Sequence, residues 1–319
     1  MAKAKRKTGL DKFNKVLFIL LIIAIVAGGL IIGLSSAKVP VAATSSDTIK
    51  DEVVIDEFKA GTYAGQKFDS VDDVVAYYNK AYDYTKSLKA QYKNAQGETV
   101  TLYKLLGSDA LKVENILIDG ASNKTIDGLV PGIVNGLFTH GLNGLSPSRA
   151  GNPADDKDDD GALLATSRLK ADDLLAANVA EKDGKVVITL QPKLTELSTP
   201  GKDSQGNVFT TLGDITATVK SITVLTWAEG DASSNIKVRY YGGTATVTID
   251  PKTNEVTNAE FHEVAHIAVT HANITIIKNK NAEITVKYDM TYPASDEYLK
   301  EYKPVSYTHL RAHETSLHL

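Results

Sequence analysis

Phe261 to Ile277 reads FHEVAHIAVTHANITII, and the period chosen for it decides what the rest of the chain builds. Taken at the helical period, His262-Glu263-Val264-Ala265-His266 is an H-E-x-x-H pattern. Histidines at i and i+4 then share one face and can bind zinc, while the glutamate polarises the metal-bound water. His262 and His266 would be ligands, Glu263 the base and His271 a third nitrogen. Phe261, Val264, Ala265 and Ala268 do fit one helix face. Taken at the period of two, Phe261, Glu263, Ala265, Ile267 and Val269 point one way and His262, Val264, His266, Ala268 and Thr270 the other. Glu263 is then opposite both histidines, which stand roughly 13 Å apart. The surroundings favour the strand: Thr244–Glu260 before it looks like a hairpin, and VTHANITIIK after Ala268 is dense in β-branched residues.

Working outward, Ile215–Thr226, Ile236–Tyr241, Thr244–Asp250, Phe261–Ile277 and Ala282–Tyr292 read as strands. Asp250–Asn254 and Lys278–Asn281 are the short turns between the last of them. Such turns predict an antiparallel meander, and the lack of a βαβ rhythm argues against a parallel sheet. Upstream, Gly184–Pro192 and Glu98–Gly107 have strand character, and Ser167–Asn178 reads as a short helix. Gly120, Gly128, Gly132, Gly136, Gly141 and Gly144 read as turns, because no Lys-Ser/Thr follows to make a phosphate loop. From Ser70, which with Asp73 approximates a capping box, apolar and aromatic residues recur at helical spacing through Tyr78, Tyr82 and Tyr92 to a stop at Gly97. The expected fold class is α+β: this amphipathic helix packed on a curved antiparallel meander over residues 70–304.

The opposite end of the chain carries a different signal. Val16–Leu34 is nineteen residues without a polar side chain, preceded by Lys3, Lys5, Arg6, Lys7, Lys12 and Lys15. Its length, about 28 Å as a helix, and the charge bias predict a transmembrane helix with a cytoplasmic arm (1–15) and an extracytoplasmic body. The expected location is the plasma membrane, single-pass, with the bilayer as a partner and 35–69 as a linker. A cleaved signal peptide ending near Ser35–Ala37 is the alternative. Gly29 and Gly33 have the spacing of a weak dimer contact. Ser35–Pro304 holds 28 basic against 37 acidic side chains, a formal −9, which repels phosphate backbones and excludes nucleic acid as a partner. The chain has no cysteine, so disulfides and thiolate metal sites are excluded, and an exported protein of this kind fits a bacterial cell envelope.

The order of elements from Ser70 to Tyr292, a long amphipathic helix and then a meander, resembles the half-barrel of LolA- and LppX-type envelope proteins. That resemblance implies a concave face that carries lipids or lipoproteins. The expectation is a binding protein with no cofactor, its ligand an apolar envelope component facing Tyr78, Tyr82 and Tyr92. The alternatives are a membrane-anchored zinc peptidase built on His262, Glu263 and His266, and a structural partner in an envelope assembly. A second metal candidate is Asp156, Asp158, Asp160 and Gly161, the first half of a calcium loop. Its twelfth position is Ser167 instead of Glu, so a solvated acidic loop is the plainer reading. Ser167-x-x-Lys170 and Ser234-x-x-Lys237 lack the companion motifs of a serine acyl-enzyme. Trp227 sits at a loop, and His140 has no partner in sequence. Val305–Thr315 (VSYTHLRAHET) resembles a translated sequencing-library adapter, so residues 305–319 are expected to be a non-native tail, with the true C-terminus lying beyond Lys303.

Overall fold

The structure is a computed structural model that describes residues 39–40, 48–93, 97–122, 145–148, 152–154, 156–158, 160–213, 220, 225–274 and 277–295. In chain order these form β1 (Val39–Pro40), β2 (Gly61–Tyr63), β3 (Gln66–Phe68), helix α1 (Val71–Ser87), β4 (Lys89–Lys93) and β5 (Thr99–Tyr103). Then come β6 (Ser108–Ile118), β7 (Ala121–Ser122), β8 (Leu174–Lys182), β9 (Lys185–Pro192), β10 (Thr195–Glu196) and β11 (Leu225–Trp227). Helix α2 (Ala232–Asn235), β12 (Ile236–Tyr240), β13 (Thr244–Asp250), β14 (Glu255–Ile274) and β15 (Ile277–Tyr292) complete the set.

Of the described residues 49% are strand and 13% helical, so the α+β expectation is corrected to a mainly β fold. The upstream stretches supply much of the difference. Lys89–Lys93 pairs with Thr99–Tyr103 as a hairpin across Gly97, whose φ is +78°. Ser108–Ile118 is an eleven-residue strand, and Ser167–Asn178, expected as a short helix, holds only one 3-10 turn at Ala171–Asp173 before the extended start of β8.

One eleven-stranded antiparallel sheet dominates. Its axis is β14, twenty residues long. β15 runs along one edge of β14, and β6 follows on β15. On the other edge β13 pairs Thr244–Asp250 with Glu255–His262, and β12 pairs Ile236–Tyr240 with Ala265–Val269. The two are collinear, interrupted at Tyr241-Gly242-Gly243, where Gly242 has φ +61° and the register slips. β9 and β10 likewise continue one another along β13 and β12, and β8 closes that side. The expected hairpin succession therefore holds for β13–β14–β15, while β9/β10 reach the sheet ahead of a long excursion in the chain.

Alternation then sets the two faces. Ala245, Val247 and Ile249 of β13 and Ala259, Phe261 and Ala265 of β14 point into the core. On that face lies α1, which buries Val74, Val75, Tyr78, Ala81, Tyr82 and Thr85. The Thr85 hydroxyl accepts from the amide of Val256 at 2.8 Å and donates to the carbonyl of Ala81 at 2.7 Å, tying the last helical turn to the start of β14.

The membrane assignment is corrected as well. Among the described residues no helix is long and apolar enough to cross a membrane. α1, the longest described, has 17 residues and carries Asp72, Asp73, Lys80, Asp83 and Lys86, charges that a span excludes. The expected anchor at 16–34, with Gly29 and Gly33, the arm at 1–15 and the tail at 305–319 lie outside the described residues. A single-pass plasma-membrane location thus has no support in the structure. Within the stretch expected to be a linker, β2 and β3 form a hairpin. The carbonyl of Glu52 and the amide of Val54 are both held by the Gln191 side chain, at 2.7 and 2.9 Å.

Candidate functional site

The H-E-x-x-H pattern lies in β14, so its side chains alternate across the sheet. His262 is exposed on the outer face, its Nδ1 2.7 Å from Asp289 Oδ1 and its Nε2 3.9 Å from Glu260 Oε2. Glu263 is buried on the inner face. His266, on the outer face again, is buried between Arg239 of β12 and Thr285 of β15, its direct cross-strand neighbours. Its Nε2 lies 3.6 Å from Glu283 Oε2, and neither atom has a hydrogen-bond partner. Burial, with the Arg239 charge adding to it, holds the His266 imidazole below its ordinary value. Burial pushes the Glu283 carboxyl up. His271 sits where β14 bulges, at φ +53°, with Nδ1 3.0 Å from Asn279 Oδ1 and Nε2 4.0 Å from Glu229 Oε2.

Each histidine therefore meets a different carboxylate, and strand geometry spreads His262 and His266 roughly 13 Å apart along one face and turns Glu263 to the other, so the zinc-peptidase constellation does not form. Among the described residues no three His, Asp or Glu side chains converge to hold a metal ion.

The aspartate-rich loop is where the structure departs most from a solvated loop. Asp156 and Asp158 are buried. Asp158 Oδ1 accepts from the amides of Asp160 and Ala162, at 3.0 and 2.8 Å. Its Oδ2 meets Arg168 Nη1 at 2.8 Å and Lys202 Nζ at 3.3 Å. Burial works against ionisation here, yet the hydrogen bonds from Arg168, the Ala162 amide and Lys202 prevail and hold the Asp158 carboxyl down at about 2. Lys202 also pairs with Asp160 at 2.5 Å. The carboxylates expected as calcium ligands are thus engaged by the protein's own cations, where a calcium site needs six to eight oxygens turned on one point.

Asp156 reaches the helix. Its Oδ2 accepts from Lys86 Nζ at 2.8 Å, and both side chains are 0% exposed. Lys86 Nζ also donates to the carbonyl of Leu164 and to Tyr82 Oη at 3.4 Å, and lies 5.5 Å from the centroid of the Tyr82 ring. Burial lowers the Lys86 amine, with Asp156 and Asp83 opposing. Burial raises the Asp83 carboxyl against the Ser167 amide and Lys86 that favour its charge. Sequence reasoning passed over Lys86, although a signal was present. It falls one turn after Tyr82, on the helix's apolar stripe, where a lysine can stay buried only with a partner.

The tyrosines expected to face a ligand are part of the packing. Tyr78 and Tyr82 are each 1% exposed within the main core cluster, beside Phe68, Leu105, Phe209 and Phe261. Tyr92 is on β4 instead of the helix. Buried side chains of α1 and of the sheet belong to one cluster. Searches against protein-family models, curated proteins and solved structures match nothing to this chain.

Proposed function

We propose that the chain is a binding protein that engages another protein through the outer face of its sheet. The observation that carries this reading is the division between the two faces. The inner face is packed against α1 and its neighbours, so a ligand's natural place is outside. There, adjacent strands present threonine and mixed charge in register. Thr189 and Thr246 hydroxyls lie 3.4 Å apart across β9 and β13, Thr244 stands opposite His262, and His262 stands opposite Asp289. Lys287 and Lys112 both meet Glu114, at 2.8 and 2.6 Å. A surface of alternating sign and little exposed apolar area suits a polar macromolecular partner better than a lipid.

The absence of cysteine makes the test clean. A single cysteine at Thr246, labelled with a photo-crosslinker, is expected to give one discrete polypeptide adduct in an extract of the source cell. The same label at Lys252, in the turn after β13, is expected to give none. Lipid mass retained by the purified protein in native mass spectrometry, with no Thr246-dependent adduct, would overturn this reading in favour of an apolar cargo.

A further inference from the structure

We propose that Lys86 and Asp156 condense into an intramolecular amide, an isopeptide bond that joins α1 to the aspartate-rich loop. The reacting groups are already in place: amine nitrogen and carboxyl oxygen are 2.8 Å apart, and neither side chain touches solvent. A nitrogen so placed stands about 3.5 Å from the carboxyl carbon, at the edge of near-attack range. In water such a pair rests as ammonium and carboxylate, which do not react. The reaction needs the pair as free amine and carboxylic acid, reached by proton transfer along the 2.8 Å contact. The lowered Lys86 amine is in keeping with that transfer.

The condensation needs a group that can take and return a proton. Asp83 is three residues before Lys86 on α1, a spacing that puts both on one side of the helix; its Oδ1 accepts from the Ser167 amide at 2.6 Å, and burial raises its carboxyl. In the step, the Nζ lone pair adds to Asp156 Cγ while a proton from Nζ passes to Asp83. That proton returns to the hydroxyl of the tetrahedral carbon, the C–O bond breaks, and water leaves. One amine and one carboxylic acid become one amide and one water, with no redox change. The buried site keeps bulk water from reversing the reaction. The bond would span 70 positions in sequence, a long closure of the kind a disulfide supplies elsewhere, in a chain without cysteine.

The test is the intact mass of the purified full chain in denaturant, with a tryptic map. The expected result is a mass one water below the sequence, no cleavage after Lys86, and a branched peptide joining residues around 86 to those around 156. A succinimide at some aspartate gives the same mass but leaves Lys86 open to trypsin, and with the full sequence mass it is one of two results that overturn the proposal. Lys86→Arg keeps the charge and is expected to show full mass. Because that variant disturbs a buried pair, Asp83→Asn serves as the second. It leaves both reacting groups present and is expected to slow bond formation at least about tenfold, the lower range for losing an acid–base group. Unchanged bond formation in Asp83→Asn would remove Asp83 from the mechanism.

Discussion

Asp158 and His266 show how much a single residue's surroundings decide. Both would be ordinary titrating groups in solution, and each is moved by what the fold places beside it. Asp158 is held down at about 2, so its contribution to stability is complete above the ordinary aspartate value near 3.9 and is lost as pH falls toward about 2. Its cationic partners Arg168 and Lys202 are 30% and 37% exposed, and screening trims what the pairs are worth. Asp158→Asn is therefore expected to cost about 1 kcal/mol at neutral pH in urea unfolding, with the deficit shrinking through that acid window. His266 behaves in the opposite chemical sense with the same sign. Its folded value lies below the ordinary 6.5, so the unfolded chain binds the proton first, and stability falls as pH drops through about 6.5 and below. Glu283, raised by burial, acts in reverse: its contribution is present below the unfolded value of about 4.3 and lost as pH rises past it. The histidine's slope is thus read most cleanly near pH 6.5. His266→Gln is expected to flatten that slope in a series of urea midpoints. An unchanged slope would place its origin elsewhere.

At the scale of elements, the start of α1 was legible and its end was not. Ser70 and Asp73 form a reciprocal capping box: Ser70 Oγ accepts from the Asp73 amide at 3.3 Å, and Asp73 Oδ2 accepts from the Ser70 amide at 3.0 Å. Such a cap depends on local chemistry, which sequence records directly. Ser70→Ala is expected to cost about 1 kcal/mol of thermal or urea stability. The end depends on distant chain. Lys89–Lys93 has nothing against helix, and Tyr92 keeps the helical spacing, but pairing with Thr99–Tyr103 outweighs that preference. β6 escaped notice for a related reason. Its buried residues alternate at Leu111 and Val113, then shift at Asn115, whose φ is +51°, and a bulge of that kind erases the period of two. β14 was legible as a strand because its context outweighed its motif. The junction of β12 and β13 is constrained more tightly than its sequence suggests. A Cβ at Gly243 would stand 2.7 Å from the His262 carbonyl and 3.0 Å from the Phe209 ring. Gly243→Ala is expected to destabilise by about 1–3 kcal/mol, by displacing β14's backbone or the ring.

For the whole molecule, the sequence conveyed antiparallel β character downstream and an acidic surface, but not the proportion of sheet or the burial of the aspartate loop. Burial of Asp156 depends on Lys86, 70 positions away, and no local pattern reports a partner at that distance. Among the described residues one core cluster runs from Phe68 through α1 to Tyr292, with Trp227, the only tryptophan of the sequence, packed against it. Tryptophan fluorescence and far-ultraviolet dichroism are therefore expected to report one coincident urea transition. Two separated midpoints would show that β11 unfolds apart from the rest of the sheet.

The length of β14 also gives the molecule a mechanical direction. Ala259 faces Tyr292 at the open end of the β14–β15 pair, and Ile274 faces Ile277 at the end closed by the turn. Tension applied at Glu255 and Tyr292 opens the pair from its free end, rung by rung, against a small force. Tension applied at Glu255 and Lys278 runs along β14 itself, whose backbone is already extended, and leaves the rungs between the two strands unloaded. A domain with this geometry is stiff along the strand and yielding across it, so whatever pulls on it will be met by one of two quite different strengths, according to where it holds.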